Sequence, residues 1–283
     1  MNEAHSPRPK KLTIIKPTTG RGILATSTEI WPYRSALYRM LLRDLRARYR
    51  HTAFGFTWAL VSPMIWLLVY SFFFGYLVRF PSDGWPYPLF AITGIVVWTF
   101  LSRATLEGAQ CLINNTHIIS KIYFPRIILP LNQSVMAFTD FVISLALLVP
   151  VLLYYDIIPS ARVLYLPLIL TLAFFMALGA ATWFSALNAR YRDIGLALPL
   201  AVQVWLFCSP VFYSMSIVPE SYRDYYSLNP VVGVLQSFRW ALGNDTFAPT
   251  LPMMLSSITF SLALFISAMF YFHRAQRRLV DTL

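Results

Sequence analysis

Apolar residues fall in long unbroken runs along this chain and not in alternation. The first run, Thr57–Val78, holds 22 residues without a charge. At 1.5 Å per helical residue it reaches about 33 Å, enough to cross a bilayer core. Further runs occupy Pro86–Ser102, Ile127–Tyr155, Val163–Leu187, Ile194–Tyr213 and Leu251–Phe272. Lipid-facing strands of a barrel would show period-two alternation, which is absent here. Backbone groups inside lipid must therefore be satisfied within helices. The pattern predicts an all-α integral membrane domain over residues 57–272 with six transmembrane helices.

Residues 33–56, just before the first run, follow a different pattern. On a helix, Leu37, Tyr38, Leu41, Leu45 and Tyr49 gather on one side, and Arg39, Arg43, Arg46 and Arg50 on the other. That predicts an amphipathic interfacial helix with its arginines toward anionic headgroups; packing on a soluble partner is the alternative. Residues 1–32, with Pro7, Pro9, Pro17, Gly20 and Gly22, read as an extended cytoplasmic arm, and residues 273–283 as a tail. No apolar stretch with a small-residue cleavage site precedes the helix, so no cleavable signal is expected.

The 37 residues from Ser214 to Thr250 form the longest segment between spans. Asn229 and Pro230 suit an N-cap and first helical position. Val231, Val234, Leu235 and Phe238 make an apolar stripe, and Gly243 is placed to stop the helix. Residues 214–250 are thus predicted to hold short re-entrant helices on the periplasmic side. Asn229, Pro230, Phe238 and Trp240 are the candidate gate, with a plain external cap as the alternative.

Composition agrees with the runs: of 283 residues, 57% are apolar and only 12% charged, which excludes disorder and an ordinary soluble enzyme. The net charge of +11 is a matter of topology. With the amino terminus inside, 19 basic side chains fall on the cytoplasmic side, against Arg79, Arg162, Arg223 and Arg239 outside. This bias places both termini in the cytoplasm. Because the basic residues are dispersed along every cytoplasmic edge, no nucleic-acid partner is expected. Cys111, read as lying in a cytoplasmic loop, and Cys208, in a span, should be reduced and unpaired.

The chain carries no phosphate-binding loop of the GxxxxGK[ST] type, so it cannot hydrolyse ATP by that route. His5, His51, His117 and His273 form no ligand spacing, and no metal site or cofactor is expected in this chain. Asp140 is the one acid inside a predicted span, and it reads as a structural residue bonded to a neighbouring helix. A coupling or gating pair is its other reading. Trp58, Ser62, Trp66, Tyr70 and Phe74 recur every four residues in the first span. Gln203, Phe207 and Pro210 lie along the fifth, with Trp205, Phe212 and Tyr213 close by. Aromatic faces of this kind stack on sugar C–H faces while Tyr and Trp polar atoms bond hydroxyls. They could line a conduit for a sliding polymer, or could belong to the usual interfacial aromatic belt.

Five sequence landmarks, in order, carry a family resemblance. They are Arg43–Pro63 (RDLRARYRHTAFGFTWALVSP), Lys121–Arg126 (KIYFPR), Ala189–Asp193 (ARYRD), Ser209–Tyr213 (SPVFY) and Leu228–Pro230 (LNP). Together they cover residues 33–243. The chain resembles ABC-type polysaccharide-export permeases, a type-2 ABC exporter family. The fit is better to O-antigen exporters than to the shorter capsule permeases, with teichoic-acid exporters as further relatives. Residues 1–30 extend beyond the minimal permease. The resemblance implies a homodimer in the bacterial inner membrane, docked to two copies of a nucleotide-binding ATPase subunit that holds ATP and Mg. It implies an undecaprenyl-linked polysaccharide as cargo, with first and fifth spans lining the channel. It further implies that Glu107–Lys121 includes the coupling helix, giving Glu107, Asn114, Asn115, His117 and Lys121 as ATPase-coupling candidates. Arg39, Arg43, Arg46 and Arg50 would then lie near the lipid carrier's pyrophosphate, because Arg pairs well with phosphate oxygens. The competing functions are a small-molecule exporter of the same superfamily and a membrane glycan transferase. For a transferase only Asp156, Glu220 and Asp224 are available as external acids, without a histidine partner.

Overall fold

The computed structural model describes residues 31–50, 57–121, 124–246 and 248–276. The expected arm before residue 31, residues 51–56 of the amphipathic segment and the tail beyond residue 276 lie outside these. Among the described residues every regular element is helical. A short turn over Trp31–Tyr33 leads into α1 (Arg34–Tyr49). α2 (Trp58–Tyr70) runs on as a π-helix over Ser71–Leu77. α3 (Tyr87–Asn114) is followed by a single turn, α4 (Thr116–Ile119). α5 (Ile128–Leu145) and α6 (Leu148–Tyr154) make one rod, and α7 is Leu166–Arg190. α8 (Asp193–Phe207), α9 (Glu220–Tyr226), α10 (Pro230–Ala241) and α11 (Leu251–Gln276) complete the chain.

Among the described residues five helices are long and apolar enough to cross a membrane: Trp58–Leu77, Tyr87–Asn114, Ile128–Tyr154, Ala161–Arg190 and Leu251–Ala275. α8 is apolar but holds only 15 residues. It is therefore about 22 Å long, short of a typical hydrocarbon core. Its run was expected to continue to Tyr213; the helix stops at Phe207 because Pro210 cannot extend it and because buried side chains take up the carbonyls beyond.

α3 is the hub. It packs against α5 and α7 most extensively, and 78% of its apolar window is buried, against 6% for Trp58–Leu77. Gly108 permits the closest approach to α7: a Cβ there would sit 2.4 Å from that of Ala181. The helix also runs well past Ser102, where the uncharged run ends. Arg103 and Glu107 are ion-paired inside the protein, so their charge does not terminate it. Cys111 consequently lies buried within α3, beside Leu112, Ile127 and Phe272, and not in a loop.

A proline in α2 shows how the bundle satisfies its backbone. Pro63 has no N–H for the carbonyl of Ala59, four residues earlier. Ser144 Oγ of α5 stands 3.1 Å from that carbonyl and supplies the missing donor. The same hydroxyl has the Asp140 carbonyl at 2.8 Å as its other acceptor.

Candidate functional site

Two polar constellations, one toward each end of the bundle, are joined by a row of rings. The inner one is a closed ring of charge. Arg48 of α1 donates to Glu107 Oε2 at 2.5 Å and to Asp140 Oδ2 at 2.6 Å. Arg103 donates to the same Asp140 oxygen at 2.8 Å and lies 3.3 Å from Glu107 Oε1. Two guanidinium groups and two carboxylates alternate, so the set is neutral and each acid bridges both bases. Isolated charges at this depth would be costly, and pairing is what makes them tolerable. Asp140, the least exposed member, is bonded to neighbouring helices on two sides.

The ring binds α1 to α3 and α5. A second link fixes the same helix: Asn132 Nδ2 donates to Asp44 Oδ2 at 2.7 Å. Arg39, Arg43, Arg46 and Arg50 all lie on the exposed side of α1, while Arg48 turns inward. Beside the ring is a cavity of about 230 Å³. Trp58, Ser62, Thr99 and Ser144 line it together with Arg48, Arg103 and Asp140.

The coupling candidates separate. Glu107 belongs to the ion ring. Asn114 ends α3, and Asn115 Nδ2 donates to the Cys111 carbonyl at 2.9 Å, closing that end. His117, on α4, and Lys121 are exposed. α4 sits at the end of α3, with His117 outward and Ile119 packed on the buried cluster around Cys111 and Phe272.

The outer constellation holds the non-helical segment 208–214. Asn229 caps α10 by accepting from Val231 N at 3.1 Å, and Trp205 Nε1 donates to the same oxygen at 3.2 Å. Its amide nitrogen donates to the Cys208 carbonyl at 2.9 Å and to Ser209 Oγ at 3.0 Å. Arg239 is buried and donates to the carbonyls of Pro210 (2.8 Å) and Val211 (2.9 Å), and to Thr93 Oγ1 (3.3 Å). Its guanidinium carbon sits 3.7 Å from the centre of the Phe90 ring, a cation–π contact. Tyr87 donates to the Phe212 carbonyl at 2.6 Å, and Ser214 donates to Asp83. Gly94 leaves room for this arrangement: a Cβ there would fall 2.1 Å from the Val211 carbonyl oxygen. Burial pushes the Asp83 carboxyl above the usual carboxylate range, against the opposing pull of Ser214 and of Arg239's charge.

Among the gate candidates, Pro230 and Phe238 are buried with almost all of α10. Trp240 is half-buried, with its ring 5.7 Å from that of Tyr165 and under the Arg162 guanidinium. Asn229→Ala should lower the melting temperature by an amount equivalent to about 1–2 kcal/mol, the worth of a good cap. Thermal unfolding in detergent checks this, and an unchanged midpoint would remove Asn229 from the clamp.

Between the two constellations run the aromatic side chains. Trp66 and Tyr70 have ring centres 5.5 Å apart, and Tyr70 lies 5.5 Å from Phe212. Phe74 stacks on Phe212 at 4.9 Å, and Phe207 and Tyr213 each meet Phe212 at 5.4 Å. The row does not keep to one face. Trp58, Ser62 and Trp66 are exposed, whereas Tyr70 and Phe74 turn toward the bundle, because four residues overshoot an α-helical turn by about 40°. Phe212, expected on a conduit wall, is 4% exposed and acts as the hub of these rings. Gln203 and Phe207 are exposed on α8.

Arg48, Arg103, Asp83, Tyr87 and Arg239 are among the site residues that sequence reasoning missed. Arg239 was legible in principle, as an arginine among buried apolar positions of α10. Arg48 was legible in the same way, because at 100° per residue it falls among Leu37, Leu41 and Leu45 on the apolar side of its helix.

A bundle of long apolar helices with two exposed ring-bearing helices defines a multi-pass membrane protein. The chain belongs to the ABC-2 type transporter family, which matches residues 35–243. Membership implies work alongside an ATPase subunit and a role as transport component, not itself a catalyst. An O-antigen export system permease protein (RfbA) of Klebsiella pneumoniae is 28% identical over 198 residues, 70% of this chain and 76% of the relative. One from Myxococcus xanthus is 28% identical over 213 residues, covering 75% and 81%. A polysialic acid transport protein (KpsM) of Escherichia coli is 22% identical over 211 residues, covering 72% and 79%.

Proposed function

We propose that this chain is the membrane subunit of an ABC exporter for lipid-linked polysaccharide of the O-antigen type. Two copies form the passage, and each docks an ATPase subunit that binds ATP and Mg. The observation that carries this reading is the pair α2 and α8. Trp66, Gln203 and Phe207 stand exposed on them, and rings that are sequence-tolerant partners for sugars connect the two. In one chain these faces have no protein cover, and a second copy would enclose a corridor between them. The names of the relatives, which concern O-antigen and polysialic acid, support the class of cargo.

In this reading the protein sits in the bacterial inner membrane with both termini in the cytoplasm. Arg39, Arg43, Arg46 and Arg50 face the carrier's pyrophosphate, and His117 and Lys121 meet the ATPase. Nucleotide binding moves α4. The rigid α3 passes that movement to the ion ring, and the ring passes it to α1.

The test is the purified chain with its ATPase in liposomes, loaded with lipid-linked glycan. Trp66→Ala combined with Phe207→Ala, both at exposed positions, should cut ATP-driven glycan efflux by about tenfold, consistent with losing two aromatic contacts of roughly 0.5–1.5 kcal/mol each. ATP hydrolysis without glycan should be unchanged. Undiminished efflux would discard the conduit, and stimulation by drugs in place of glycan would select the small-molecule exporter.

A further inference from the structure

A second cavity, of about 310 Å³, opens on the side of the bundle that carries α9 and α10. One face of α9 supplies Glu220, Arg223, Asp224 and Ser227, at spacings of three and four residues. Met215, Thr250 and Met253 complete much of the wall, and Gln236 of α10 lines it from within. Gln236 is only 2% exposed, yet its Nε2 has no hydrogen-bond partner among the described residues. A buried amide donor without an acceptor is costly, and such a group in a cavity wall marks where a ligand acceptor belongs.

The remaining chemistry narrows the ligand. Glu220 and Asp224, both exposed at the cavity's edge, repel anions. Arg223 donates to the Val218 carbonyl at 3.0 Å and lies 3.5 Å from Glu220, so a guanidinium stands beside that acid in the cavity wall. Together with the Gln236 N–H group, that makes a poor cation site, since hard cations take oxygen ligands. Vicinal hydroxyls suit this mixed lining: each can accept from Gln236 or Arg223 and donate its one O–H to a single carboxylate, Asp224 or Glu220. The methionine side chains offer a polarizable apolar surface to C–H groups. Rings bearing several hydroxyls and a C–H face are saccharides.

We propose that this cavity binds a saccharide unit of the exported glycan on the exit side, where Gln236 is the inner anchor. The inference rests on the polysaccharide-export reading. The site catches the chain as it emerges and biases its progress outward, so its binding is weak and exchanges quickly.

The experiment uses the full chain with its ATPase in nanodiscs. The probe is a set of tri- and tetrasaccharides released by mild acid from the surface glycan of the strain carrying the gene. Saturation-transfer NMR and titration should show millimolar binding. Gln236→Leu should weaken it about tenfold at an unchanged or higher melting temperature, since the substitution removes an unpartnered polar group. Glu220→Gln with Asp224→Asn, at exposed positions that do not threaten folding, should weaken it by about threefold or more. No binding by the wild type, or equal binding by both variants, overturns the inference. So does a calcium titration in which the metal displaces the saccharide. ATP-driven export is followed in parallel in liposomes: export without saccharide binding discards this site alone, whereas binding without glycan export discards the transport reading.

Discussion

Arg239→Met should lower the stability of the detergent-purified protein by about 3–5 kcal/mol, read as a large drop in melting temperature by tryptophan fluorescence. The side chain is replaced by one of apolar character, so the core loses little packing. What is lost is the set of donors on the Pro210 and Val211 carbonyls, at 2.8 and 2.9 Å. Each buried carbonyl left without a partner costs about 1–3 kcal/mol. The cation–π contact with Phe90 goes as well. Arg239→Lys keeps the charge but replaces a planar fork by a single point donor, and should recover less than half of the loss. A melting temperature for Arg239→Met within a degree or two of wild type would show that the 208–214 segment does not depend on this clamp.

Removing one acid from the ion ring has the second largest effect. Asp140→Asn takes away the carboxylate charge that Arg48 and Arg103 share and keeps their contacts with Glu107. Breaking a buried pair while keeping the opposite charge costs about 3–5 kcal/mol, and partial exposure of the arginines brings the expectation toward 2–4. ATP-driven glycan efflux should fall with it, because α1 is no longer fixed to α3 and α5. The informative variant is the double one. Asp140→Asn combined with Arg103→Met restores neutrality, and should regain about half of the lost stability in a double-mutant cycle. If the loss in the double variant equals the sum of the two single losses, Asp140 and Arg103 act independently and the ring is not a unit.

Much of the architecture is legible from residue order, because it depends on local runs. The uncharged stretches around Trp58–Leu77, Ile128–Tyr154 and Leu251–Ala275 mark their helices directly. The start of α10 is legible too, since an Asn-Pro pair both caps and initiates. What could not be read depends on distant partners. The passage of α3 through Arg103 and Glu107 requires Asp140 and Arg48, and Arg48 meets Asp140 from 92 residues away. The helical period does separate Arg48, on the apolar side, from Arg46 and Arg50, but it does not say which acids Arg48 meets. The stop after Phe207 likewise requires Asn229 and Arg239 to receive the carbonyls of Cys208, Pro210 and Val211. The ring row of the first span was legible as a spacing, but its turn into the bundle was not, since a four-residue step and an α-helical turn differ.

The π-helix over Ser71–Leu77 bears on that difference. Its loops close over five residues, so a step of four falls behind a full revolution where before it ran ahead. The corkscrew traced by the rings is thereby partly unwound at its outer end, and Phe74 comes to rest over Phe212 without sweeping past it. The ring row thus gains a fixed final orientation from a change of helical gauge within a single rod.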